Sequence, residues 1–515
     1  MKIILNNIKV PVIHDFEDVI NASQEKIHDL DNIVIYKKSL DARRKNDIHY
    51  VYSVAGETKK NVTNLKDVFI FKNIEDVVLK LPENNRTIVI VGMGPCGLFA
   101  GLVLARFGYK PIILERGEDV DSRHRIIKNS QKNSFINSQS NIQFGEGGAG
   151  TFSDGKLTTR IGDPMQKFVL ETFVKYGAPE DIIYLSKPHI GTDLLRGIIK
   201  NIRKEIISLG GEVKFNSFVK DIGFADNKVS YVETEEEKIY CDAVILAIGH
   251  SSRDTYEMLY KKGVVMEAKP FAAGVRIEHK REFINYSQYG EMAKENILPT
   301  ADYKLTYHGD RNCFSFCMCP GGSVVNASSE EGMLCVNGMS EHARMADNSN
   351  SAIVVNVRPE DFNNNPMEGI EFQRKYEKLA FMQGGGDYSA PVHLAKDFIV
   401  GKMSTAFEDV FPSYNGNTKF ADLRKCLPDF IVGGLCDGLI DFNRKIKGYT
   451  DGGAVLTGVE MRTSAPLRIV RNEAGEAQGF CGLFPAGEGA GYAGGIMSAA
   501  IDGIKSAIKV TDYLK

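Results

Sequence analysis

The segment that most restricts the fold of this chain is Gly92-Met93-Gly94-Pro95-Cys96-Gly97. It follows an apolar strand candidate at residues 87–91 and opens an apolar helix candidate at residues 98–107. In a strand-loop-helix unit of this type, the first glycine permits the tight turn, the second lets the backbone approach a pyrophosphate, and the third lets the helix pack on the strand. The phosphates then lie on the free amides of the first helical turn. The segment therefore predicts a dinucleotide-binding unit of the Rossmann type.

A second strand candidate, residues 111–114, follows the helix and ends at Glu115. An acidic side chain at the end of this strand can accept hydrogen bonds from ribose hydroxyl groups. The next residue, Arg116, is a further candidate contact. From this first unit we predict that the dinucleotide contacts Gly92, Gly94, Pro95, Cys96, Gly97, Glu115 and Arg116.

Three further segments favour FAD over NAD as the dinucleotide. The first, residues 143–156, is dense in glycine, which suits backbone that lies against a flat or anionic ligand. It supplies the candidate contacts Gly147, Gly148, Thr151, Phe152 and Lys156. The second, residues 242–250, is an apolar strand that ends in a small turn, with the candidate contacts Ala247, Gly249 and His250. It resembles the Ala-Thr-Gly element of two-dinucleotide flavoproteins, with Ile248 where threonine is usual.

The third segment, residues 482–489, resembles the Gly-Asp element whose carboxylate holds the flavin ribityl chain. Its candidate contacts are Gly487 and Glu488, and Glu488 stands where aspartate is usual. Gly494, Gly495 and Ile496 then open a helix whose first amides would face the flavin pyrimidine edge. The positive end of a helix dipole favours negative charge, as on a reduced flavin.

Taken together, these segments resemble a bacterial family labelled uncharacterised FAD-dependent dehydrogenases, also called NAD/FAD-utilising dehydrogenases. The family is similar to the hydroxybenzoate hydroxylase-like flavoproteins and to the glutathione-reductase type of FAD fold. The resemblance covers nearly the whole chain and is most specific at residues 145–157, 317–322 and 485–498. Residues 38–45 also resemble the N-terminal domain of that family. The resemblance implies oxidoreductase activity and names no substrate.

The order of strand and helix patterns predicts an α/β fold with a Rossmann-type FAD-binding domain, an inserted α+β substrate or cap domain, and a small N-terminal α+β domain. We expect the N-terminal domain at residues 1–82, and the FAD-binding domain at residues 83–264 with a closing segment at 456–515. The substrate or cap domain occupies residues 265–455 in this interpretation. A second helix of the N-terminal domain is predicted around Ile74, Val77, Val78 and Leu81.

Composition restricts the partners of the chain. It has 515 residues and a formal net charge of −3, so no global field attracts nucleic acid or an anionic membrane. The first ten residues lack the apolar core of a secretory signal, and no apolar run is long enough to span a membrane. Nine scattered cysteines are typical of reduced thiols. We therefore expect a cytoplasmic protein that acts on a small-molecule substrate away from membranes.

Few residues stand out as chemical groups. Lys156 could stabilise a reduced flavin anion or bind an acidic substrate, and it could equally be a structural lysine. Cys319 is the candidate for a thiol that reacts beside the flavin. The thiols of Cys313, Cys317, Cys319 and Cys335 could also be buried packing residues or metal ligands. Their spacing does not match the common zinc or iron–sulfur patterns, so we predict no metal.

The leading interpretation is an FAD-dependent oxidoreductase that transfers hydride at flavin N5. Two alternatives stay open at this point. One is an RNA-binding or RNA-modifying flavoprotein that uses the basic cluster Lys37, Lys38, Arg43, Arg44 and Lys45. The other is an FAD-bound sensor without turnover. Because the chain has one full phosphate fingerprint, we predict that any NAD(P)H binds transiently in the open pocket that faces the flavin.

Overall fold

A computed structural model describes residues 1–62, 64–70, 86–159 and 162–515. The N-terminal part forms a small four-stranded sheet. Its elements are β1 (Lys2–Val10), α1 (Phe16–Lys26), β2 (Asp31–Asp41), β3 (His49–Glu57) and β4 (Val68–Ile70), in the strand order β2-β3-β1-β4. Helix α1 begins with a capping box, in which Asp15 and Asp18 each accept a hydrogen bond from the backbone N–H of the other. The second helix predicted near Ile74 lies outside the described residues, as does the predicted boundary at 82–83.

The phosphate-loop unit follows as strand, turn and helix. Its elements are β5 (Ile88–Val91), α2 (Pro95–Arg106), β6 (Ile112–Leu114), α3 (Val120–Asn133), α4 (Met165–Lys175), α5 (Thr192–Ser208) and β7 (Glu212–Lys214). Strand β5 is buried at every residue, because its two faces pack in two separate apolar clusters, which explains its unbroken apolar run.

A small antiparallel sheet and one more parallel strand complete this half of the chain. The elements are β8 (Asp221–Ala225), β9 (Lys228–Glu233), β10 (Lys238–Tyr240), β11 (Ala243–Leu246), α6 (Arg253–Lys261) and β12 (Met266–Ala268). Strand β11 pairs in parallel with β5, while β8, β9 and β10 form a separate sheet.

The segment that follows is built on a large second sheet. Its first elements are β13 (Phe271–Lys280), α7 (Arg281–Tyr289), β14 (Thr306–Tyr307), β15 (Cys313–Cys319), β16 (Ser323–Asn326), β17 (Val336–Met339), β18 (Asn348–Val357) and α8 (Pro366–Gly384). Its later elements are β19 (Ala390–Leu394), α9 (Ala395–Val400), β20 (Thr418–Phe420), α10 (Asp429–Lys445), β21 (Val455–Glu460) and β22 (Leu467–Ile469). The seven strands are ordered β14-β15-β18-β13-β21-β19-β20. Strand β21, which the sequence-based boundary places in the closing segment, pairs here with β13 and β19.

The chain ends by returning to the parallel sheet with β23 (Leu483–Pro485) and α11 (Ile496–Tyr513). The order of the parallel sheet is β23-β11-β5-β6-β7, so strands from distant parts of the sequence lie side by side. Helices α11 and α2 pack against each other, and Gly503 lies directly on the Cys96 backbone. This parallel sheet places the ends of its strands along one edge, where the phosphate loop also lies.

Candidate functional site

A cavity of about 370 Å³ opens at the carboxyl ends of the parallel strands. Its wall includes a residue at or just beyond the end of each of the five strands: Gly92, Glu115, Ser217, Ala247 and Ala486. Ligands of open α/β sheets bind in the crevice outside these strand ends, where the strand order reverses. Here the reversal lies at β5, which has β6 on one side and β11 on the other.

Most of the residues predicted from sequence to contact the cofactor line this one cavity. They are Gly92, Gly94, Pro95, Cys96, Glu115, Arg116, Gly148, Lys156, Ala247, Gly249, His250, Glu488, Gly494, Gly495 and Ile496. These residues come from four separate segments of the chain. The tertiary structure therefore brings the four predicted segments together around one space.

Five other predicted contacts lie behind the wall of the cavity: Gly97, Gly147, Thr151, Phe152 and Gly487. Gly97 packs the helix on the strand, since a side chain there would meet the Gly92 carbonyl. The Gly487 N–H donates to Asp502 at 2.7 Å, and Phe152 packs beneath the Arg123 guanidinium. Their positions indicate that they shape the loops and do not face a ligand directly.

Glu115 is a buried junction between three loops. One carboxylate oxygen accepts hydrogen bonds from the Gly117 and Gly145 N–H groups, each at 2.9 Å. The other accepts from the Met93 N–H, also at 2.9 Å. A carboxylate has about four acceptor positions. Glu115 thus organises the phosphate loop and retains acceptor capacity toward the cavity that it lines.

Glu488 is half-buried in the cavity wall, and its carboxylate makes no hydrogen bond or ion pair with the described parts of the chain. The neighbouring loop is held by Asp502 instead, which accepts from Gly487 N–H and pairs with Arg471 at 2.8 Å. Sequence reasoning missed Asp502 because it lies in the helix after the motif. Glu488 is therefore available to a ligand, while Asp502 supports the loop.

His250 contacts the cavity in its neutral form. Its Nε2 faces the Arg462 carbonyl at 2.9 Å, and because a carbonyl only accepts, Nε2 carries the proton. Burial lowers the pKa of His250, and the nearby Glu488 charge opposes that effect in part. The other ring nitrogen, Nδ1, is then an acceptor and cannot donate.

A buried ion cluster fixes Arg462 and joins the two halves of the chain. Glu377 of α8 accepts from Arg253 of α6 at 2.7 Å and from Arg462 at 2.6 Å. Burial opposes the Glu377 charge, but the two guanidinium groups outweigh it and lower the pKa of Glu377 to about 2. The sequence gives no spacing signal for this cluster, because its members are far apart along the chain.

The cavity has the features that an elongated dinucleotide requires. Helices α2 and α11 both begin at it with a glycine N-cap and no side-chain cap. Gly249, Gly494 and Gly495 face open space, where an added Cβ would meet no atom within 4 Å. Two buried polar atoms of the wall, Gln143 Oε1 and Ser251 Oγ, have no hydrogen-bond partner in the described ranges. Uncapped amides, bare backbone and unpaired polar atoms are consistent with FAD, so the residues present fit this cofactor.

The opposite wall comes from the second half of the chain: Phe316 and Cys317 lie on β15, Asn337 on β17, Glu460 at the end of β21, and Arg462 and Thr463 just beyond it. Lys156 lies between the two halves, where its Nζ contacts Asp154 at 2.9 Å and donates to the Met318 carbonyl. Burial opposes the charge of Lys156, but Asp154 together with the Cys319 and Cys317 sulfurs outweighs burial and raises the pKa of the amine. Cys317 faces the cavity, whereas Cys319, the thiol chosen from sequence, is fully buried behind it.

Two other sequence-based expectations can be compared with the structure. Among the residues that the structure describes, no three His, Cys, Asp or Glu side chains are grouped so that they could hold a metal ion. Within the same residues, no helix is both long and apolar enough to cross a membrane.

In the basic N-terminal cluster, the Lys38 amine lies 4.6 Å from the centre of the Tyr50 ring, and Arg43 pairs with Asp41. Parts of that cluster are therefore engaged within the protein.

Comparison with known proteins identifies relatives of the chain. Residues 270–463 match the family described as "FAD-dependent protein, C-terminal domain-like". A Clostridium beijerinckii protein is 51% identical over 526 aligned residues, with 98% of each chain covered. That protein is described only as uncharacterized. The match therefore shows that the two chains are homologous and does not indicate an activity.

Several solved structures are similar at low identity. A mutant of the halogenase PltM in complex with FAD is 12% identical, with 83% of this chain and 70% of that one covered and a TM-score of 0.39. Glycine oxidase from Geobacillus kaustophilus is 11% identical, with 83% and 95% covered and a TM-score of 0.35. CtdE in complex with FAD is 13% identical, with 84% and 88% covered and a TM-score of 0.32. Similarity at this level identifies neither an activity nor a site residue.

Proposed function

We propose a function from the premise that this chain belongs to the FAD-dependent protein family whose C-terminal domain it carries. The proposed function is that of an FAD-dependent oxidoreductase that acts on a small molecule. The reaction would be a hydride transfer at flavin N5.

The observation that carries the proposal is the continuity of the cavity. One space is lined by the phosphate loop at Gly94, by the half-buried carboxylate of Glu488, and by Cys317 of the second sheet. A dinucleotide that begins at the phosphate loop can therefore extend towards the residues of the second sheet. A small substrate would then bind between the flavin and that sheet, where side chains from both halves meet.

Individual residues have distinct roles in this proposal. The first-turn amides of α2 would bind the pyrophosphate, and Glu115 would keep the loop closed around it. Glu488 would accept hydrogen bonds from the ribityl chain. When bound, FAD would supply the two-electron chemistry. Lys156, which keeps its positive charge, would stabilise negative charge that develops in the cavity.

The proposal includes transient binding of any NAD(P)H in the same cavity. The triple glycine at residues 384–386 is the nearest alternative phosphate loop in the sequence. In the structure it ends helix α8, with Gly385 in the left-handed conformation of a helix C-cap. A glycine run that ends a helix does not present amides to a phosphate in the way that a helix start does.

The experiment that tests the proposal begins with the cofactor. Acid release from the purified protein, followed by mass spectrometry, should give FAD. NADH, NADPH and a panel of metabolites are then added anaerobically while the visible flavin absorption is followed. At least one should bleach the flavin, and an acceptor should restore it. Release of only FMN or NAD would contradict the proposal, and FAD that no metabolite reduces would support the sensor alternative.

A pair of glycine variants locates the cofactor. An added Cβ at Gly94 would make only an ordinary contact, 3.8 Å from Gly148, yet it would project at the phosphate loop. Gly94→Ala should therefore fold normally and retain much less FAD. Gly197→Ala is the matched control, because Gly197 lies on helix α5 with open space around it and does not line the cavity. Equal FAD retention in both variants would place the cofactor elsewhere.

A further inference from the structure

We propose that Cys317 and Cys319 form a redox-active dithiol that reduces a small disulfide substrate, with Cys317 as the attacking thiolate and Cys319 as the resolving thiol. A single turnover needs only the two thiols. Repeated turnover rests on the proposed flavin function, which would return two electrons to the pair.

The backbone at this site is unusual and is held from two sides. Strand β15 is irregular between Phe316 and Cys319, and Cys317 has a left-handed conformation with φ of 42°. The Arg276 guanidinium donates to the Cys317 carbonyl at 2.6 Å, and Lys156 donates to the Met318 carbonyl. Non-glycine residues in this conformation are uncommon and cluster at functional sites. Two cations thus fix consecutive peptide groups of one short turn.

The turn gives the two thiols different environments and keeps the Cys319 thiol next to the Cys317 backbone. Cys317 is half-buried and lines the cavity, so a small molecule can reach it. Cys319 is fully buried and lies 3.7 Å from the Arg276 guanidinium. The Cys319 thiol also donates to the Cys317 carbonyl at 3.4 Å, which keeps it beside the same short turn. A resolving thiol needs no access to solvent, because its target is the neighbouring sulfur.

The local charges favour a thiolate at Cys317. The hydrogen bond from Cys319 lowers the pKa of the Cys317 thiol, burial opposes this, and the charges of Lys156 and Arg276 lower it further. The same contact raises the pKa of Cys319, which therefore keeps its proton. The ionisable groups that act on Cys317 are Cys319, Lys156, Arg276, Asp154 and Glu460. A thiolate is the reactive form in disulfide exchange.

Other thiols of the chain lack this combination. Burial raises the pKa of Cys96, Cys313 and Cys335, as expected of structural thiols. Cys481 is exposed at the surface and does not line the cavity. Cys481 therefore serves as the internal reference for an exposed thiol outside the cavity.

The proposed reaction needs no oxidant or reductant besides the two thiols and the substrate disulfide. The Cys317 thiolate attacks one sulfur of the substrate disulfide, which forms a mixed disulfide and releases the first thiolate. Cys319 passes its proton to that thiolate and attacks the Cys317 sulfur. The Cys317–Cys319 bond forms and the second substrate thiolate leaves, taking a proton from solvent. The substrate gains two electrons and becomes two thiols, and the dithiol becomes a disulfide.

The first test measures thiol reactivity in the full-length protein with its cofactor bound. Iodoacetamide is added at about pH 6, where an unperturbed thiol is almost entirely protonated. Peptide mass spectrometry then gives the labelling rate at each cysteine. Cys317 should be labelled at least about tenfold faster than Cys481. Equal or slower labelling of Cys317 would overturn the proposal.

The second test adds oxidised glutathione and measures how many thiols each chain releases. The parent protein in this test carries Cys481→Ser, which removes the exposed thiol. The protein should release two thiols per chain and become two hydrogen masses lighter, with a disulfide between Cys317 and Cys319. Cys319→Ser should release one thiol and retain a mixed disulfide at Cys317, and Cys317→Ser should release none. Two thiols from the Cys319→Ser variant, or no disulfide in the parent, would overturn the proposal. FAD content, measured in the same samples, reports separately on the proposed flavin function.

Discussion

The carboxylate of Glu115 accepts a hydrogen bond from the Gly145 N–H at 2.9 Å, across 30 residues of sequence. This contact joins the end of β6 to the glycine-rich segment that follows α3. Through its other oxygen, Glu115 also holds Met93 of the phosphate loop. One buried side chain therefore sets the relative positions of two loops that border the cavity.

Replacing Glu115 with Gln should lower both the melting temperature and FAD retention. The amide group cannot accept from all three backbone N–H groups, and a lost charge-assisted hydrogen bond costs about 1.5–3 kcal/mol. Thermal unfolding and FAD release by fluorescence measure the two effects. Glu118→Gln is the matched control, since the Glu118 side chain does not hold this junction. If Glu115→Gln behaves like that control, Glu115 does not organise the site.

Glu488→Ala should weaken FAD binding and leave the melting temperature of the cofactor-free protein nearly unchanged. The reason is that the Glu488 carboxylate makes no bond to the described part of the protein. Loss of one charge-assisted hydrogen bond corresponds to roughly tenfold to hundredfold weaker binding. Asp502→Asn provides the contrast, because it should destabilise the loop even without cofactor. Unchanged FAD affinity in Glu488→Ala would exclude a role for Glu488 at the ribityl chain.

Glu377→Gln should be strongly destabilising. It leaves the buried charges of Arg253 and Arg462 without a carboxylate, and breaking such a buried cluster costs about 3–5 kcal/mol. Thermal unfolding measures the loss. Glu371→Gln on the same helix α8 is the control, because Glu371 is exposed where it pairs with Arg374. Similar melting temperatures for the two variants would mean that the cluster does not hold the two halves together.

His279 should make the protein less stable in mild acid. Its Nε2–H donates to the Tyr449 carbonyl at 2.7 Å, and burial lowers the pKa of His279 from 6.5 to about 4. As the pH falls below 6.5, His279 becomes protonated in the unfolded chain. In the folded chain it stays neutral until about pH 4. This difference removes about 3 kcal/mol of stability over that window.

The variant His279→Gln keeps the donor and cannot titrate. Its melting temperature should therefore fall less steeply than that of the parent between pH 6.5 and pH 4. Above that window the difference between the two proteins should stay constant. Parallel curves through the whole range would show that His279 does not contribute. Burial also raises the pKa of the neighbouring Glu278. Because Glu278 is present in both proteins, its effect on the pH dependence of stability cancels when the two are compared.

Residues 83–515 should retain FAD without the N-terminal sheet. All residues lining the cavity, among those the structure describes, lie at Val91 or later. The sheet contacts the remainder through β2, where the Lys38 N–H donates to the Tyr184 carbonyl at 2.7 Å, and through Ile48, which packs in the apolar core of the second sheet. A yellow, folded product is the expected outcome, and absorbance with circular dichroism measures it. A folded but colourless product would show that the N-terminal unit completes the flavin site.

The local parts of the site could be predicted from sequence. The turn at Gly92 and the end of the next strand at Glu115 are contiguous strand-loop-helix features, so their spacing alone indicates a dinucleotide unit. Glycines that contact a ligand and glycines that pack a helix have the same sequence signature. Gly94 and Gly97 belong to one motif, yet only Gly94 faces the cavity.

The sequence by itself determined the segments that form the parallel-sheet wall of the cavity, because each is a short element whose hydrophobic period and turn residues are local. Tertiary structure alone decided the second wall. Glu460 meets Arg276 at 2.8 Å only because β21 and β13 pair across a long insertion. Tertiary structure also decided which thiol faces the cavity. A regular strand would direct Cys317 and Cys319 to the same face, but the irregularity in β15 turns Cys317 outward and leaves Cys319 against Arg276.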